Sequence, residues 1–118
     1  MPLIGRTDAT APVVHVTRTT KGLQTRICFS KRALLNAHAQ TTKRVVLDHD
    51  PKKKTLLFRF RVHKGEPSYA LFHEGVAGRT KALTTAVTST LIPFLKPGHY
   101  TPTADKLALT IRYDETGR

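Results

Sequence analysis

The sequence predicts an α+β fold that is mostly β, with two related halves packed as a single domain. Three observations lead to this prediction. Apolar and polar residues alternate over several short segments, as in half-buried strands. Glycine and Asp-Pro turns separate these segments. A shift of 53 residues aligns the second half with the first, so we expect the halves to pack about an approximate two-fold axis.

The first half is expected to hold two strand hairpins with a short helix between them. Lys21-Gly22 is a turn between two alternating segments, because glycine accepts a positive φ at low cost. Ser30 is a candidate helix N-cap. Asp50-Pro51 begins a second turn, which carries three lysines. The expected elements are strands over residues 13–19, 23–29, 43–49 and 55–63 and a helix over residues 31–40.

The second half is expected to repeat this order. Leu83, Val87 and Leu91 recur every four residues, which predicts a helix over 80–95. The many threonines there are poor helix formers, so a strand over part of this segment stays open. The other expected extended segments cover residues 68–72, 99–103 and 106–113. The domain 1–118 is thereby divided into a flexible arm (1–12), a basic half (13–64) and a near-neutral half (65–118).

The internal repeat rests on seven identical positions between residues 14–60 and 67–113. In both halves the sequence indicates a strand, a glycine turn, a helix, a turn and a strand that ends in apolar-Arg-aromatic. Coincidence between two β-rich segments stays open as the alternative. The identical pairs are Gly22 and Gly75, Arg26 and Arg79, Ala33 and Ala86, Lys43 and Lys96, Lys53 and Lys106, Leu56 and Leu109, and Arg59 and Arg112.

The charge is strongly positive and unevenly distributed. The chain has 20 Lys and Arg against 8 Asp and Glu, for a net charge of +12. Residues 1–64 hold 14 of the basic and 3 of the acidic residues, whereas residues 65–118 hold 6 and 5. A one-sided excess of this size is typical of a face that binds nucleic-acid phosphates.

Residue patterns for catalysis, cofactors and metals are missing from the sequence. The six histidines follow no zinc spacing, and Asp48-His49-Asp50 is better explained by turn chemistry before Pro51 than by a metal or nuclease site. We therefore expect a non-enzyme without cofactor or metal. The single Cys28 between apolar neighbours and the lack of a run of about 20 apolar residues predict a cytoplasmic protein without membrane contact.

The first half resembles the swapped-hairpin DNA-binding domains of the AbrB and MazE families. The resemblance covers about 40 residues and lies in Gly22, residues 26–29, Ser30-Lys31-Arg32 and the segments 33–37, 45–48 and 55–60. The chain departs from the family pattern at Ser30, where proline is usual, and at 36–39, where no Leu-Gly follows the helix. The resemblance implies duplex DNA binding by two interlocked copies, which a duplicated chain could supply alone.

The resemblance also implies that Lys21, Arg26, Lys31 and Arg32 would be the first phosphate contacts. The leading hypothesis is a small bacterial or phage transcription regulator or accessory factor that binds duplex DNA, with DNA favoured over RNA. The candidate nucleic-acid-binding residues are Arg18, Lys21, Arg26, Lys31, Arg32, Lys43, Arg44, Lys52, Lys53, Lys54, Arg59 and Arg61.

Two other functions stay open. The first is a PC4-like binder of single-stranded DNA or RNA, because Arg59, Arg61 and His63 would share one face of a strand. The second is a protein-docking factor, in which the near-neutral half 65–118 contacts RNA polymerase or a virion component. A homo-oligomer is compatible with each of these functions.

Overall fold

Alternating apolar residues and turn-forming residues give a fold that consists almost entirely of strands. The computed structural model describes residues 11–19, 21–74 and 82–114. The described elements are β1 (Val14–Arg18), β2 (Gln24–Phe29), α1 (Lys31–Asn36), β3 (Arg44–Asp50), β4 (Thr55–Arg59), β5 (Tyr69–Ala70), β6 (Phe72–Glu74), β7 (Ala82–Thr88), a 3-10 turn (Ser89–Leu91), β8 (Gly98–Tyr100), β9 (Thr103–Asp105) and β10 (Ala108–Arg112).

The strands form two five-stranded antiparallel sheets. The order in the first sheet is β6-β7-β2-β1-β8, and in the second it is β5-β3-β4-β10-β9. Between β5 and β6 the chain passes from the second sheet to the first. The mostly β, single-domain fold class predicted from the sequence is therefore confirmed.

The core contains the inward side chains of both sheets. Val14 and Val16 of β1, for example, are fully buried, as the period-2 pattern requires. The ring of Phe29 meets those of Phe58 and Phe60 edge-on, with centroids 4.9 and 5.4 Å away. Such edge-to-face contacts are a preferred aromatic geometry and tie β2 to β4 and the residue that follows it.

The N-cap prediction at Ser30 is confirmed. Its hydroxyl accepts a hydrogen bond from the backbone N–H of Ala33 at 3.2 Å, and the helix begins at Lys31. The helix ends at Asn36, not at the expected Gln40. His38 has a φ of 57°, a left-handed conformation that ends helices and that a continuing α-helix cannot contain.

The expected helix over residues 80–95 is wrong in its described part. Residues 82–88 form β7, and the 3-10 turn follows. Residues 83–85 are all buried, and from Thr85 onward burial alternates, with Val87 buried and Ala86 and Thr88 exposed. A spacing of four residues fits the period of 2 of a strand as well as the period of 3.6 of a helix. The pattern of leucine and valine could therefore not distinguish a strand from a helix. The β-branched threonines and the partner strands favoured the strand.

Two other expected boundaries also differ. β4 ends at Arg59 instead of His63, because its partner β10 begins opposite, at Ala108, and Leu107 before it has a φ of 58°, outside the strand region. The expected strand over 68–72 is divided into β5 and β6, which lie in different sheets. The expected arm lies almost wholly outside the described residues.

The pairings of the two halves correspond when β5 and β6 together are matched with β1, and β8 and β9 together with β3. β1–β2 and β3–β4 are matched by β6–β7 and β9–β10, while β1–β8 is matched by β5–β3. β2–β7 and β4–β10 join the halves. In the β4–β10 pair, Leu57 lies opposite Thr110. These two residues are 53 positions apart in the sequence, which equals the offset of the sequence repeat. These pairings fit a duplicated chain, and the pseudo-two-fold axis itself stays a prediction.

Candidate nucleic-acid interface

The turn between β3 and β4 presents three lysines to solvent. The Asp50 carboxylate accepts the backbone N–H groups of Lys52 and Lys53 at 3.1 and 3.2 Å, which is an Asx-turn. Lys54 closes the turn with a φ of 55°. All three lysine side chains are exposed. The turn assigned to Asp50-Pro51 is thus confirmed, and Asp50 serves to shape it.

The turn between β1 and β2 presents Lys21. Gly22 has a φ of 70°, and its N–H donates to the carbonyl of Thr19 at 2.7 Å. The N–H of Thr19 donates to the carbonyl of Gln24 at 3.0 Å, which closes the hairpin. Lys21 and Leu23 are both exposed on this turn.

The segment that follows β7 brings these two turns to the same end of the molecule. The N–H of Ser89 donates to the carbonyl of Leu23 at 3.0 Å, at the first turn. Phe94 packs on His49, immediately before the second turn. The N–H of Tyr113 donates to the carbonyl of Lys54 at 3.0 Å. We call the exposed basic residues gathered there the lysine end: Lys21, Lys52, Lys53, Lys54, Lys96 and Arg112.

Three rings, which we call the aromatic trio, lie within the lysine end. His49 stacks on Phe94 with a centroid distance of 3.9 Å and an angle of 12°. Tyr113 lies tilted against both, at 4.5 Å from Phe94 and 5.3 Å from His49. The Tyr113 hydroxyl and His49 Nε2 are 2.7 Å apart and share a hydrogen bond. His49 stays exposed, while Phe94 and Tyr113 are half-buried.

The four residues that the resemblance grouped as phosphate contacts do not lie together. Lys21 is at one end of β2, and Lys31 and Arg32 follow its other end. A strand of this length spans about 17 Å. Arg26 lies between them on the outer face of β2, opposite Thr17. Lys31 and Arg32 are exposed beside the Ser30 cap and form a separate basic site.

Two of the predicted arginines donate hydrogen bonds to other segments of the protein. Arg18 donates from Nη2 to the carbonyl of Leu95, which holds the end of β1 against the segment after the 3-10 turn. Arg44 donates from Nε to the Ser68 hydroxyl at 2.6 Å and from Nη2 to the Ser68 carbonyl at 2.9 Å. Their hydrogen bonds stabilise chain crossings, so we do not include them in the lysine end. Lys43 is exposed next to Arg44.

Arg59 is likewise held by protein acceptors. Its guanidinium pairs with both carboxylate oxygens of Glu66 and lies 3.4 Å from the Asp48 carboxylate. The hydrogen bond from Arg59 and a second one from the His63 N–H lower the pKa of the Glu66 carboxyl to about 2. Arg59 also donates to the carbonyl of Arg61 at 2.7 Å. Arg61 and His63 follow the end of β4, so the shared strand face expected for them ends at Arg59.

A pair of histidines lies on the outer face of the first sheet. His15 of β1 stands opposite His99 of β8, and the rings stack at 4.1 Å. Partial burial, and then repulsion from His99, lowers the pKa of His15. Cys28 is opposite His15 on the other side. Within residues 11–19, 21–74 and 82–114 no group of three or more His, Cys, Asp or Glu side chains could hold a metal ion.

Sequence reasoning missed four residues of this end. Phe94 and Tyr113 belong to segments that were interpreted as a helix and as the end of a strand. Lys96 and Arg112 were named only as repeat partners of Lys43 and Arg59. The repeat was the one signal that could have drawn attention to both basic residues.

No helix in the described part of the chain has the length and apolar character needed to cross a bilayer. In comparisons with known proteins, no protein-family model, no curated protein and no solved structure matches this chain. The resemblance to the AbrB and MazE families therefore stays a prediction from its residues.

Proposed function

We propose that the chain is a small, non-enzymatic DNA-binding protein, a bacterial or phage regulator or accessory factor, that holds DNA phosphates with the lysine end. The observation that supports this most is the convergence of two basic turns, Lys21 and Lys52–Lys54, at one end of the fold. In the part of the chain that the structure describes, the lysines of this end form no ion pair. Their charges therefore remain available to an anionic partner.

Phosphate binding by this end predicts a steep dependence on salt. Each neutralised phosphate releases condensed counterions, so affinity falls with a log–log slope of about −0.9 for each contact. Five or six contacts would lower the affinity roughly 1000-fold between 50 and 200 mM salt. Fluorescence anisotropy with a labelled duplex at both salt concentrations measures this slope directly. An affinity that does not change with salt would overturn the proposal.

A matched pair of variants shows which end of the protein binds. The triple variant Lys52→Gln, Lys53→Gln and Lys54→Gln removes three charges from the lysine end. The control variant Lys31→Gln, Arg32→Gln and Lys64→Gln removes three charges beyond the far ends of β2 and β4. We expect the first variant to weaken binding by 10-fold or more and to reduce the salt slope by about three contacts. Equal losses in the two variants would contradict a binding role that is specific to this end.

The type of nucleic acid is decided by competition among duplex DNA, single-stranded DNA and RNA of equal length. The resemblance of the first half to the AbrB and MazE domains favours duplex DNA. A small basic fold with a single cysteine also fits a reducing compartment, and we place its activity in the cytoplasm. Preference for RNA in this competition would contradict the DNA-binding proposal while leaving phosphate binding intact.

Exposed apolar residues favour a second candidate function, the docking of a protein partner. Phe72 and Leu91 in the near-neutral half are 63% and 60% exposed. Large apolar side chains with this much exposure occur at protein interfaces. A pull-down that survives nuclease treatment in wild type and is lost in the variant Phe72→Ser and Leu91→Ser would support a protein partner. Complete loss of the partner after nuclease treatment would refute it.

A further inference from the structure

We propose that the aromatic trio of His49, Phe94 and Tyr113 is a stacking site for an unpaired base of single-stranded DNA. This inference rests on the proposed function, because the phosphates on either side of that base would be held by the lysine end. The sequence favoured a base-binding surface at Arg59, Arg61 and His63. The stacking site proposed here lies at the other end of the second sheet.

The orientation of the rings is suited to stacking. Phe94 covers one face of the His49 ring at 3.9 Å, and yet His49 stays exposed. Tyr113 lies tilted against His49 by 56°, so it does not stack on the opposite face of the His49 ring. The hydrogen bond to the Tyr113 hydroxyl holds the ring in place before any ligand arrives. Stacking on a fixed ring costs little side-chain entropy on binding.

The rings are anchored by the core behind them. Phe94 and Tyr113 are partly buried and pack against the main hydrophobic cluster. The backbone N–H of Tyr113 is bonded to the carbonyl of Lys54. An aromatic group on such a support keeps its position when a flexible single strand binds, which is what a stacking platform requires.

Each ring has a basic residue close to it along the chain. Lys52 follows His49 by three residues, Lys96 follows Phe94 by two, and Arg112 directly precedes Tyr113. Basic residues beside aromatic rings are the combination that single-strand binders use, in which the cations hold the backbone and the rings stack on the bases. Duplex DNA cannot use this arrangement, because its bases are stacked and paired inside the helix.

In the surface first predicted for single strands, the arginine within β4 is already paired. Arg59 is paired with Glu66 and Asp48, so a phosphate would have to displace two carboxylates. At the aromatic trio, Arg112 lies 3.4 Å from Asp114 in an exposed ion pair, which a phosphate displaces at lower cost. Asp50, directly after His49, already accepts two backbone N–H groups of its turn. Asp48, directly before His49, lies 3.4 Å from Arg59.

The test compares two oligonucleotides with the same phosphate charge. One is an octamer of thymidine, and the other is an octamer of abasic sites. A single stacked base adds about 1–3 kcal/mol, so we expect the full-length protein to bind the thymidine octamer 5-fold to 150-fold more tightly in 50 mM salt. His49→Ala should reduce this ratio to near one and leave the affinity for the abasic octamer unchanged.

Two further variants keep the test decisive. His63→Ala is the matched control, because His63 is also exposed but lies beyond the far end of β4, and it should change neither affinity. Phe94→Leu keeps an apolar side chain at the anchored position but removes the ring plane, and it should also lower the ratio. The unchanged affinity for the abasic octamer shows in each case that the fold and the phosphate site are intact.

The outcomes separate this inference from the proposed function. Equal, salt-dependent binding of both octamers would overturn the stacking site and leave phosphate binding by the lysine end in place. A thymidine preference that survives both His49→Ala and Phe94→Leu would place base stacking elsewhere and also overturn it. No binding of either octamer or of duplex DNA in 50 mM salt would overturn the proposed function itself.

Discussion

Hydrogen bonds of single side chains decide which basic residues of this protein can serve a ligand. Three arginines add to the net positive charge just as the lysines do: Arg18, Arg44 and Arg59. Each of them, however, donates hydrogen bonds to acceptors of the protein and so fixes a chain crossing or a loop. A guanidinium presents several donors in a fixed fork, so it is well suited to such internal contacts. The lysines at the turns carry one compact charge on a flexible stem and stay exposed. These three internally bonded residues are all arginines, whereas Arg32 and Arg112 are exposed as the lysines are.

The pair of Arg59 and Glu66 predicts a specific dependence of stability on pH. The pKa of the Glu66 carboxyl is lowered from its usual 4.5 to about 2, so its stabilising contribution is complete above pH 4.5 and is lost as the pH falls towards 2. Glu66→Gln should lower the melting temperature at pH 7, and the difference from wild type should shrink to near zero at about pH 2. Thermal unfolding followed by circular dichroism measures both differences.

Asp114→Asn is the control for that measurement, since Asp114 contacts Arg112 at 3.4 Å on the surface and should contribute little. A difference between wild type and Glu66→Gln that stayed constant from pH 7 to pH 2 would contradict the assigned role of the carboxylate.

At the scale of elements, β7 shows how tertiary pairing overrides a local pattern. Its sequence allows a helix by spacing, but β2 and β6 offer strand edges on both of its sides. The pairing with β2 extends over six residue pairs, from Gln24 and Thr88 to Phe29 and Leu83. The partner strands accept and donate the backbone hydrogen bonds of β7, and its β-branched threonines favour a strand over a helix.

The threonines of β2 and β7 predict opposite effects of the same substitution. The Thr25 hydroxyl bonds that of Ser89 at 3.0 Å in a buried position, whereas the buried Thr85 hydroxyl has no hydrogen-bond partner in the described part of the chain. Thr25→Val should destabilise the fold by about 1–3 kcal/mol, because Ser89 is left without its partner. Thr85→Val should stabilise it by about 1 kcal/mol. Urea unfolding of both variants gives the two values, and a shared sign would refute this interpretation.

The whole molecule is held together by pairings between its two halves. β2–β7 and β4–β10 join residues before and after position 64, and β1–β8 and β3–β5 add two more pairings between the halves. Each half thus completes both sheets of the other. These pairings between the halves also place the segment after β7 across the ends of β1–β2 and β3–β4. The lysine end and the aromatic trio form there as a result.

This arrangement predicts that neither half folds alone. Residues 1–64 and residues 65–118, produced as separate chains, should each be unfolded by circular dichroism, because each would expose the paired edges of β2, β4, β7 or β10. When the two chains are mixed, the strand signal should return, because each chain supplies the strand edges that the other lacks. A half that folds cooperatively by itself would show that the pairings between halves are not needed for stability.

Local chemistry in the sequence determined the mostly β class, the β1–β2 hairpin, the Ser30 cap and the Asp50 turn, since each depends on residues a few positions apart. Charge counting also located most of the exposed lysines. Only the tertiary structure decided that β7 is a strand, that three arginines are internally bonded, and that Lys21 and Lys54 share an end without Lys31. His49 and Tyr113 come together because β3 and β10 both pair with β4, and the segment after the 3-10 turn adds Phe94. Such pairings depend on burial and on available strand edges, which local residue patterns do not encode.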